Sequence, residues 1–237
     1  MQAQQKLCAV VPTYNERENV ERLVEAVRRA EVSGLTLLFV DDTSPDGTGD
    51  LIRDIASRDP SVRLLVRNAK TGIGSAYQDG FREAISSTAP DIIIEMDADL
   101  QHPPSAIGKL VRAVQAGADV AVGSRYVAGG EVSGWSFWRR TVSKGANAYA
   151  RAMLGIKVRD ATSGFRAYRR AKAEQVADAV LPAKGFEFQV ASLYLLKNGS
   201  RFEEVPYTFT ARTSGRSKLG LADMARFFLS VIRIALS

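Results

Sequence analysis

Two aspartates, Asp97 and Asp99, follow an apolar run in the stretch EMDADLQHPP, residues 95–104. In a turn beyond a strand, carboxylates one residue apart can converge on one cation, and Gln101 adds a neutral oxygen at the next alternate position. A hard divalent metal held there could bridge these oxygens to a diphosphate. Because such pairs are common, the residues alone also fit the polar end of a buried strand. His102 is the single histidine, and beside two prolines we expect a loop or supporting residue rather than a ligand or base.

Two further polar stretches carry candidate nucleotide contacts. Asp41 and Asp42 in VDDTSPDGTGD stand at the end of an apolar run, where carboxylates can accept hydrogen bonds from a ribose or a base. A helix cap and turn is their alternative role. The stretch KTGIGSAYQDGF has Tyr77 where the dinucleotide fingerprint requires a third glycine, and it lacks the G-K-[ST] of a phosphate loop. We therefore expect Lys70 and the glycines after it to form a tight turn into a helix near the nucleotide.

The elements that position these residues follow from short apolar runs separated by helical segments. The runs lie at residues 7–11, 35–40, 62–66, 91–96 and 119–122. This alternation predicts βαβ units and an α/β fold, with a mostly parallel central sheet flanked by helices. Because ligands of such sheets bind beyond the carboxyl ends of the strands, the polar clusters should lie at one edge.

The first helix shows this pattern in detail. Asn15 could cap it, with Glu18 three residues on as the second half of a capping box. Apolar side chains follow at the i, i+3, i+4, i+7 spacing, namely Val20, Leu23, Val24 and Val27. We expect that face to pack on the sheet.

The overall composition is that of a globular protein with one large domain: 237 residues, of which 46% are hydrophobic and 24% charged. Cys8 is the single cysteine, so neither a disulfide nor a thiolate metal cluster is expected, which fits a reducing cytosolic compartment. The first residues lack the features of a signal peptide, and no stretch approaches the roughly 18 to 20 apolar residues of a membrane span.

Positive charge is concentrated in one segment. The net charge is +6, and residues 125–170 hold ten lysines or arginines against two acids, so the excess is local. Such charge suits nucleotide phosphates, nucleic acid or an anionic membrane surface, and a solvated face is the alternative. Interleaved aromatic residues favour a membrane interface; they are Trp135, Phe137, Trp138, Tyr149 and Phe165.

Residues 219–237 are expected to form an amphipathic helix. Its polar side carries Asp223, Arg226, Ser230, Arg233 and Ser237, and its apolar side carries Leu221, Met224, Phe228, Val231, Ile232 and Ala235. The helix either lies at the cytoplasmic leaflet of a membrane and helps to present a lipid, or docks its apolar side on the protein core.

Several motifs taken in order are more specific than any one of them: VVPTYNE, VDDTSPDGT, KTGIGSAYQDGF, MDADLQHPP, VGSRY, RDATSGFRAYRR and EVPYTFTARTSGRSKL. From about residue 10 to residue 218 they closely resemble the family-2 glycosyltransferases of the dolichol-phosphate, or polyprenol-monophosphate, mannose synthase group. The resemblance implies a GT-A catalytic domain over residues 1–218, GDP-mannose as donor, Mg²⁺ or Mn²⁺ as cofactor and a polyprenyl phosphate as acceptor.

The same resemblance implies roles for individual residues. Guanosine contacts are expected from Pro12, Tyr14, Glu16, Val40 and Asp42. Contacts to the diphosphate and metal are expected from Asp97, Ala98, Asp99 and Gln101, of which all but Ala98 are candidate metal ligands. Donor phosphate or sugar contacts are expected from Arg125, Arg212 and Lys218. The acceptor phosphate is expected near Arg125, Arg139 and Ser143, although Arg140 could exchange roles with Arg139.

The implied reaction is an inverting transfer of mannose to a lipid phosphate, with Asp97, Asp99 and Arg125 as catalytic residues. The metal and neighbouring cations would stabilise negative charge on the leaving diphosphate. A phosphate monoester is already ionised at neutral pH, so the acceptor needs no strong base, and the aspartates should act through the metal. The basic segment would screen the repulsion between the two anionic substrates.

Two other functions stay open at this point. A polyprenyl-phosphate glucosyltransferase using UDP-glucose would keep the fold and change the base pocket. A basic nucleic-acid-binding module is disfavoured, because acidic clusters at the strand ends would repel a phosphate backbone; no nucleic acid partner is expected.

The expected location is the cytoplasmic face of a membrane, where the protein would be peripheral. Some members of the resembled group continue into transmembrane helices. We therefore expect either a separate transmembrane partner or a fused membrane domain.

Overall fold

The computed structural model describes residues 5–183, 185–211 and 221–236, and for 221–225 only the backbone. The strands are β1 (Leu7–Thr13), β2 (Leu35–Asp41), β3 (Val62–Val66), β4 (Ile92–Glu95), β5 (Val120–Ser124), β6 (Glu131–Ser133), β7 (Arg166–Arg169), β8 (Phe202–Pro206) and β9 (Thr208–Thr210). The helices are α1 (Arg17–Arg29), α2 (Thr48–Arg58), α3 (Ile73–Ser87), α4 (Ile107–Gln115), α5 (Phe137–Leu154), α6 (Arg170–Asp178), α7 (Phe188–Leu196) and α8 (Leu221–Ala235).

A seven-stranded sheet forms the centre of the fold, in the order β3-β2-β1-β4-β7-β5-β8. The neighbours β3, β2, β1 and β4 are parallel, and so are β5 and β8. Between these groups β7 runs antiparallel to both β4 and β5. The expected α/β fold with a mostly parallel sheet is confirmed, and the five predicted strands match β1 to β5 within two residues at each end.

Four strands were missed by the search for apolar runs. β7 reads RAYR, and its first residue, Arg166, is fully buried although its sequence suggests an exposed segment. The strands β6 and β9 have three residues each and pair in parallel as a separate two-stranded sheet. Such short or charged strands carry too few apolar positions for a period to be recognised.

Alternate residues of β1 face two hydrophobic cores, one on each side of the sheet. Cys8 and Val10 belong to the core that includes α3, α5, α6, α7 and α8. Leu7, Ala9 and Val11 belong to the core that includes α1, α2 and α4. Burial raises the pKa of the Cys8 thiol to about 12, so this cysteine is a core residue and not a reactive thiolate.

Helix α1 buries the predicted face but begins differently from the prediction. Val20, Leu23, Val24 and Val27 are its buried residues, as expected. The predicted cap is wrong: Asn15 has a φ of 60°, and the N-cap position is taken by Glu16, which makes no side-chain capping bond. The backbone N–H of Asn15 instead donates to Ser44 Oγ at 3.0 Å, so a contact with the loop after β2 fixes where the helix begins.

Helix α8 packs against α5 and α7 through part of its apolar surface. Val231 and Ile234 are buried, whereas Phe228 and Ile232, predicted on the same side as Val231, are exposed. The helix is therefore docked on the core and also presents apolar side chains to the outside. Along the described ranges, no helix combines the length and apolar character that crossing a membrane requires.

Candidate active site

The carboxyl ends of β1, β2 and β4 bring three polar loops to one edge of the sheet. β1 pairs in parallel with both β2 and β4, with Pro12 opposite Val40 and Thr13 opposite Asp41. The loops after these strands contain the motifs PTYNE, VDDTSPDGT and MDADLQHPP. The sheet thus assembles motifs that are far apart in the sequence.

The two adjacent aspartates after β2 have different partners. Asp41 accepts hydrogen bonds from Thr13 Oγ1 at 3.0 Å and from the backbone N–H of Ser44 at 2.9 Å, so it closes the turn. Asp42 is paired with Arg67, whose Nη1 donates to Asp42 Oδ1 at 2.7 Å. Burial raises the pKa of Asp42 above its ordinary value, and the charge of Arg67 opposes that shift. Asp41 is thus used by the turn, and a nucleotide contact of Asp42 stays a prediction.

Arg67 is a site residue that the motif search missed. Its side chain is nearly buried, and Nε lies 2.9 Å from Asp79 Oδ2 while Nη2 donates to Ser75 Oγ at 2.8 Å. It thus ties the loop after β2 to helix α3. The sequence signal was weak, because one arginine after a strand is common.

Tyr14 and Lys70 meet at the outer edge of this region. The Lys70 ammonium lies 3.6 Å from the centroid of the Tyr14 ring, a cation–π contact between two loops. Glu16, also expected near the guanosine, accepts a hydrogen bond from Asn19 Nδ2 at 2.6 Å. The expected turn into a helix after Lys70 is present, with Gly72 at a φ of 113° immediately before α3.

Tyr77, the residue that excluded the dinucleotide fingerprint, supports the first aspartate. Its hydroxyl donates to Asp97 Oδ1 at 3.0 Å, and its ring stacks on Phe188 at 5.9 Å between centroids. Burial, together with the charge of Asp97, raises the pKa of Tyr77 well above its ordinary value. The phenol therefore stays protonated and acts as a hydrogen-bond donor.

A tight turn shapes the aspartate motif. Leu100 has a φ of 63°, and Asp99 Oδ1 accepts from the backbone N–H of Gln101 at 3.0 Å. The Gln101 Nε2 donates to the carbonyl of Thr210 at 3.2 Å, which fixes the orientation of the amide. Ala98, between the aspartates, is buried.

The buried His102 stabilises the same turn by a hydrogen bond to its backbone. Its Nδ1 accepts the backbone N–H of Asp97 at 3.0 Å, and its ring stacks on Phe165 at 5.1 Å. Burial lowers the pKa of His102, which keeps the imidazole neutral as an Nδ1 acceptor requires. The imidazole is thereby engaged with the protein backbone.

The donor set of Asp97, Asp99 and Gln101 fits a hard divalent cation. Carboxylate and amide oxygens suit Mg²⁺ or Mn²⁺, and all three residues are only half-buried. Within the part of the chain that the structure describes, no cluster of three or more His, Cys, Asp or Glu residues could hold a metal. A cation at this motif would therefore need substrate or water oxygens to complete its coordination.

On the basic side of the site, Arg125 is fixed by Asp160. The guanidinium donates through Nε and Nη2 to the two carboxylate oxygens, each at 2.7 Å, and the backbone N–H of Arg125 adds a third bond at 2.9 Å. Burial acts to lower the pKa of Arg125, but the hydrogen bonds and charge of Asp160 outweigh it and raise the value. Asp160 was missed, although it is one of only two acids in the basic segment.

Arg139 and Ser143 lie beside Arg125, as the resemblance implied. The guanidinium carbon of Arg139 lies 4.2 Å from the Trp135 ring centroid, and that of Arg125 lies 5.6 Å from the same centroid. Ser143 Oγ is 2.7 Å from the hydroxyl of Tyr126. Helix α5 thus directs Arg139 toward this cluster while Arg140 is exposed to solvent.

Strand β9 contacts both the acidic half of the site (Asp97, Asp99 and Gln101) and the basic half (Arg125, Arg139 and Ser143 with Trp135). Gln101 donates to the carbonyl of Thr210, while the neighbouring Phe209 packs against Trp135 at 5.2 Å between ring centroids. The charges of Asp97, Asp99, Arg125 and Asp160 all influence the pKa of His102, so this ring is near both halves. Two expected contacts, Arg212 and Lys218, lie outside the described residues.

Curated relatives share most of the chain. A polyprenol monophosphomannose synthase of Mycolicibacterium smegmatis is 43% identical over 229 residues, covering 96% of this chain and 86% of the relative. An undecaprenyl-phosphate mannosyltransferase of Micrococcus luteus is 38% identical over 237 residues, covering 98% and 95%. A dolichol-phosphate mannosyltransferase of Pyrococcus furiosus is 42% identical over 233 residues, covering 97% of this chain and 63% of that longer relative.

A solved structure shares the fold. The glucosyl-3-phosphoglycerate synthase from Mycobacterium tuberculosis superposes with a TM-score of 0.69 at 20% identity, covering 99% of this chain and 80% of that one. This likeness confirms the expected GT-A architecture. The family model described as glycosyl transferase family 2 matches residues 8–177. On this match and on the similarity to its relatives, the chain belongs to glycosyl transferase family 2.

Proposed function

We propose that this protein transfers mannose from GDP-mannose to a polyprenyl monophosphate, with inversion at the sugar, to give a polyprenyl phosphate β-mannose. The observation that carries the proposal is the juxtaposition of Asp97, Asp99 and Gln101 with Arg125 and Arg139 across β9. One half suits a metal and a leaving diphosphate, and the other suits an anionic acceptor. The mannosyltransferase names of three relatives, which include polyprenol, undecaprenyl and dolichol phosphates, support this pairing.

On the donor side, Asp97, Asp99 and Gln101 would hold a divalent cation, Mg²⁺ or Mn²⁺. When bound, such a cation neutralises negative charge that develops on the leaving diphosphate. Tyr77 and His102 keep the Asp97 side chain and backbone in place before any substrate arrives. The glucosyl-3-phosphoglycerate synthase, which has a similar fold, was crystallised with Mn²⁺ and UDP-glucose. This complex supports a metal-dependent donor site in the present protein.

The nucleoside would lie over the loops after β1 and β2. Pro12, Tyr14, Glu16 and Asp42 lie at that edge of the sheet, whereas the Val40 side chain is fully buried in the core, so Val40 would contact the nucleoside through its backbone. The Asp42 carboxylate, held at Oδ1 by Arg67, is suited to accept N–H groups of a guanine. The donor phosphates and sugar would be contacted by Arg125 and by Arg212 and Lys218.

On the acceptor side, a phosphate would bind near Arg125, Arg139 and Ser143. Its charge would be screened by the two guanidiniums as it approaches the donor. Because the nucleophile is an ionised phosphate oxygen, no side chain has to remove a proton. The engagement of His102 Nδ1 by the backbone of Asp97 agrees with a mechanism that has no histidine base.

Contact with the cytoplasmic face of a membrane would supply the lipid. The surface formed by α5 and α8 exposes Phe137 to 84% and Leu236 to 83%, and Tyr149 joins the two helices by packing on Phe228 at 4.7 Å. Arg140, Lys144 and Arg151 are exposed on α5, as contact with anionic headgroups requires. A membrane-embedded partner or a fused membrane domain would strengthen this attachment.

The decisive experiment is to incubate the protein with radiolabelled GDP-mannose, a polyprenyl phosphate and Mg²⁺ or Mn²⁺. The expected product is an organic-extractable lipid that releases mannose in mild acid. If the protein formed a glucolipid from UDP-glucose and no mannolipid from GDP-mannose, the proposal would be wrong. The protein would then be a polyprenyl-phosphate glucosyltransferase. In a thermal shift measurement with Mn²⁺, GDP should raise the thermal midpoint of the protein and UDP should not.

Membrane contact has a separate test, because removal of α8 would uncover the core around Val231 and Ile234. The double variant Phe137→Ser and Leu236→Ser should bind anionic liposomes less than wild type while keeping its thermal midpoint. Val180→Ser, at a fully exposed position outside α5 and α8, is the matched control. Equal flotation of all three proteins would count against this orientation.

A further inference from the structure

We propose that Trp135 is an additional acceptor-binding residue, whose indole N–H donates a hydrogen bond to the acceptor phosphate between Arg125 and Arg139. This inference rests on the proposed function, since it needs a phosphate at the basic half of the site. In the sequence, Trp135 was indicated only as one aromatic residue of a basic segment. The proposal makes it a hydrogen-bond donor.

Two buried donors at this place lack partners among the residues that the structure describes. The Nε1 of Trp135 and the Nε of Arg139 are covered in the ligand-free protein and form no hydrogen bond with any described residue. Both side chains are only half-buried, so a shift of these side chains would open the two donors to a ligand. A buried donor left unsatisfied costs about 1 to 3 kcal/mol. The two side chains are in contact, since the Arg139 guanidinium lies 4.2 Å from the indole centroid. Two such costs side by side indicate a place prepared for an acceptor of hydrogen bonds.

The charge around the indole specifies an anion. Arg125 and Arg139 both pack near this ring, and Arg125 is already paired with Asp160. Among the described residues Arg139 has no ion pair with a carboxylate. Burial and the nearby charge of Arg125 lower the pKa of Arg139, so a second anion would relieve an electrostatic cost. A phosphate, with several oxygens, can accept from both guanidiniums and the indole.

The indole of Trp135 packs on β9, and β9 also contacts the loop of Asp97, Asp99 and Gln101. Its ring meets Phe209 in an edge-to-face contact at 5.2 Å, and the next residue, Thr210, accepts the Gln101 amide. Trp135 is thus connected through β9 to the loop that carries the proposed metal ligands. A rigid aromatic ring with one N–H is suited to bind a phosphate oxygen, because a buried indole N–H usually finds a hydrogen-bond acceptor.

Trp138 provides a matched comparison within the same segment. It is also a tryptophan, three residues along the chain, but it is 72% exposed and its ring makes none of these contacts. These are the two tryptophans of the chain. Trp135→Phe keeps a ring that can pack on Phe209 and removes the N–H, so it separates hydrogen bonding from packing.

The kinetic test uses a short, water-soluble prenyl phosphate with wild type, Trp135→Phe and Trp138→Phe. Loss of one hydrogen bond to a charged group predicts an acceptor KM raised roughly 10-fold in Trp135→Phe. The KM for GDP-mannose, the kcat and the thermal midpoint should stay near wild type, and Trp138→Phe should match wild type throughout. An unchanged acceptor KM in Trp135→Phe would overturn the proposal.

A binding test does not depend on turnover. In Trp138→Phe, Trp135 is the single fluorescent indole, and its emission should change saturably with farnesyl phosphate and not with farnesol. Inorganic phosphate should compete. A response to farnesol equal to that of farnesyl phosphate, or none to either, would contradict phosphate binding at Trp135. If wild type makes no mannolipid the proposed function fails; if it does and Trp135→Phe is unaffected, only this inference fails.

Discussion

The acidic and basic halves of the site differ in how many of their side-chain donors and acceptors have hydrogen-bond partners in the protein. In the acidic half, Asp97 is held by Tyr77 and His102, and Asp99 by the backbone of Gln101. In the basic half, Asp160 anchors Arg125, but one buried donor each of Trp135 and Arg139 has no hydrogen-bond partner among the described residues. The acidic half is therefore organised by contacts within the protein, whereas the basic half has donors that the proposed acceptor phosphate would satisfy.

The cause of this difference lies in the elements that carry each half. The acidic motif follows β4 at the centre of the sheet, above a buried network in which Glu95 accepts from Tyr168 at 2.8 Å. Arg166 continues that network to Ser192 at 2.8 Å, although its Nε is also buried without a hydrogen-bond partner among the described residues. The basic half is built from α5, the loop after β5 and the small β6–β9 sheet, which lie at the periphery. Substitutions in the two halves should therefore have separable effects.

The largest effect is expected from Asp99→Ala in the acidic half. Loss of a ligand that helps to neutralise the leaving diphosphate should lower kcat by roughly 10³-fold. The Mn²⁺-dependent part of the stabilisation by GDP should disappear in a thermal shift measurement. Asp50→Ala, an exposed carboxylate on α2, is the control and should behave as wild type. Near-normal turnover of Asp99→Ala in saturating Mg²⁺ or Mn²⁺ would refute the metal role.

The next effect belongs to the basic half. Arg139→Gln removes a charge beside the proposed acceptor phosphate and should raise the acceptor KM roughly 30-fold. Stabilisation by GDP with Mn²⁺ should be unchanged, because the donor half is intact. Arg140→Gln, the exposed neighbour on α5, should leave both measurements near wild type. Equal losses in the two arginine variants would mean that general surface charge, not a specific site, attracts the acceptor.

A smaller effect is expected from Tyr77→Phe, which removes the hydroxyl that holds Asp97. One lost hydrogen bond to a carboxylate should lower kcat/KM for GDP-mannose roughly 10-fold. The acceptor KM should not change, which distinguishes this variant from Arg139→Gln. Tyr194→Phe on α7, whose ring contacts Lys197, is the control. If Tyr77→Phe acted on the acceptor KM alone, the division of the site into two halves would be wrong.

The smallest effect concerns pH and the network beneath the acidic half. Burial raises the pKa of Glu95 to about 7 from an ordinary value of 4.5. The folded protein then binds a proton that the unfolded chain has released, so stability is lost as the pH rises between those values. Wild type should lose roughly a few degrees of thermal midpoint relative to Glu95→Gln between pH 5 and pH 7.5. Parallel pH curves for the two proteins would show that Glu95 does not titrate in this way.

Local patterns in the sequence were sufficient for several elements. The apolar runs predicted β1 to β5 because strands buried on both faces are continuous hydrophobic segments. The spacing of Val20, Leu23, Val24 and Val27 predicted the buried face of α1 because helical periodicity is a local property. The order of the motifs indicated the family before any contact was known.

Contacts between distant residues required the tertiary structure. Tyr77 reaches Asp97 across 20 residues, Arg125 reaches Asp160 across 35, and Gln101 reaches Thr210 across 109. No period in the sequence encodes such pairs, because they depend on the sheet order and on the register between neighbouring strands. The place of the antiparallel β7 between β4 and β5 also depends on pairing with strands that are distant in the sequence.

The residue types at the site, the carboxylate motif and the local excess of positive charge are all visible in the printed sequence. The contacts between those residues, and the donors that stay unsatisfied among the described residues, depend on the folded chain. Trp135 and Trp138 have the same side chain and lie three residues apart, yet one is packed between arginines and the other is exposed. The physical reason is that burial and hydrogen bonding depend on neighbours from other elements, which a local pattern does not specify.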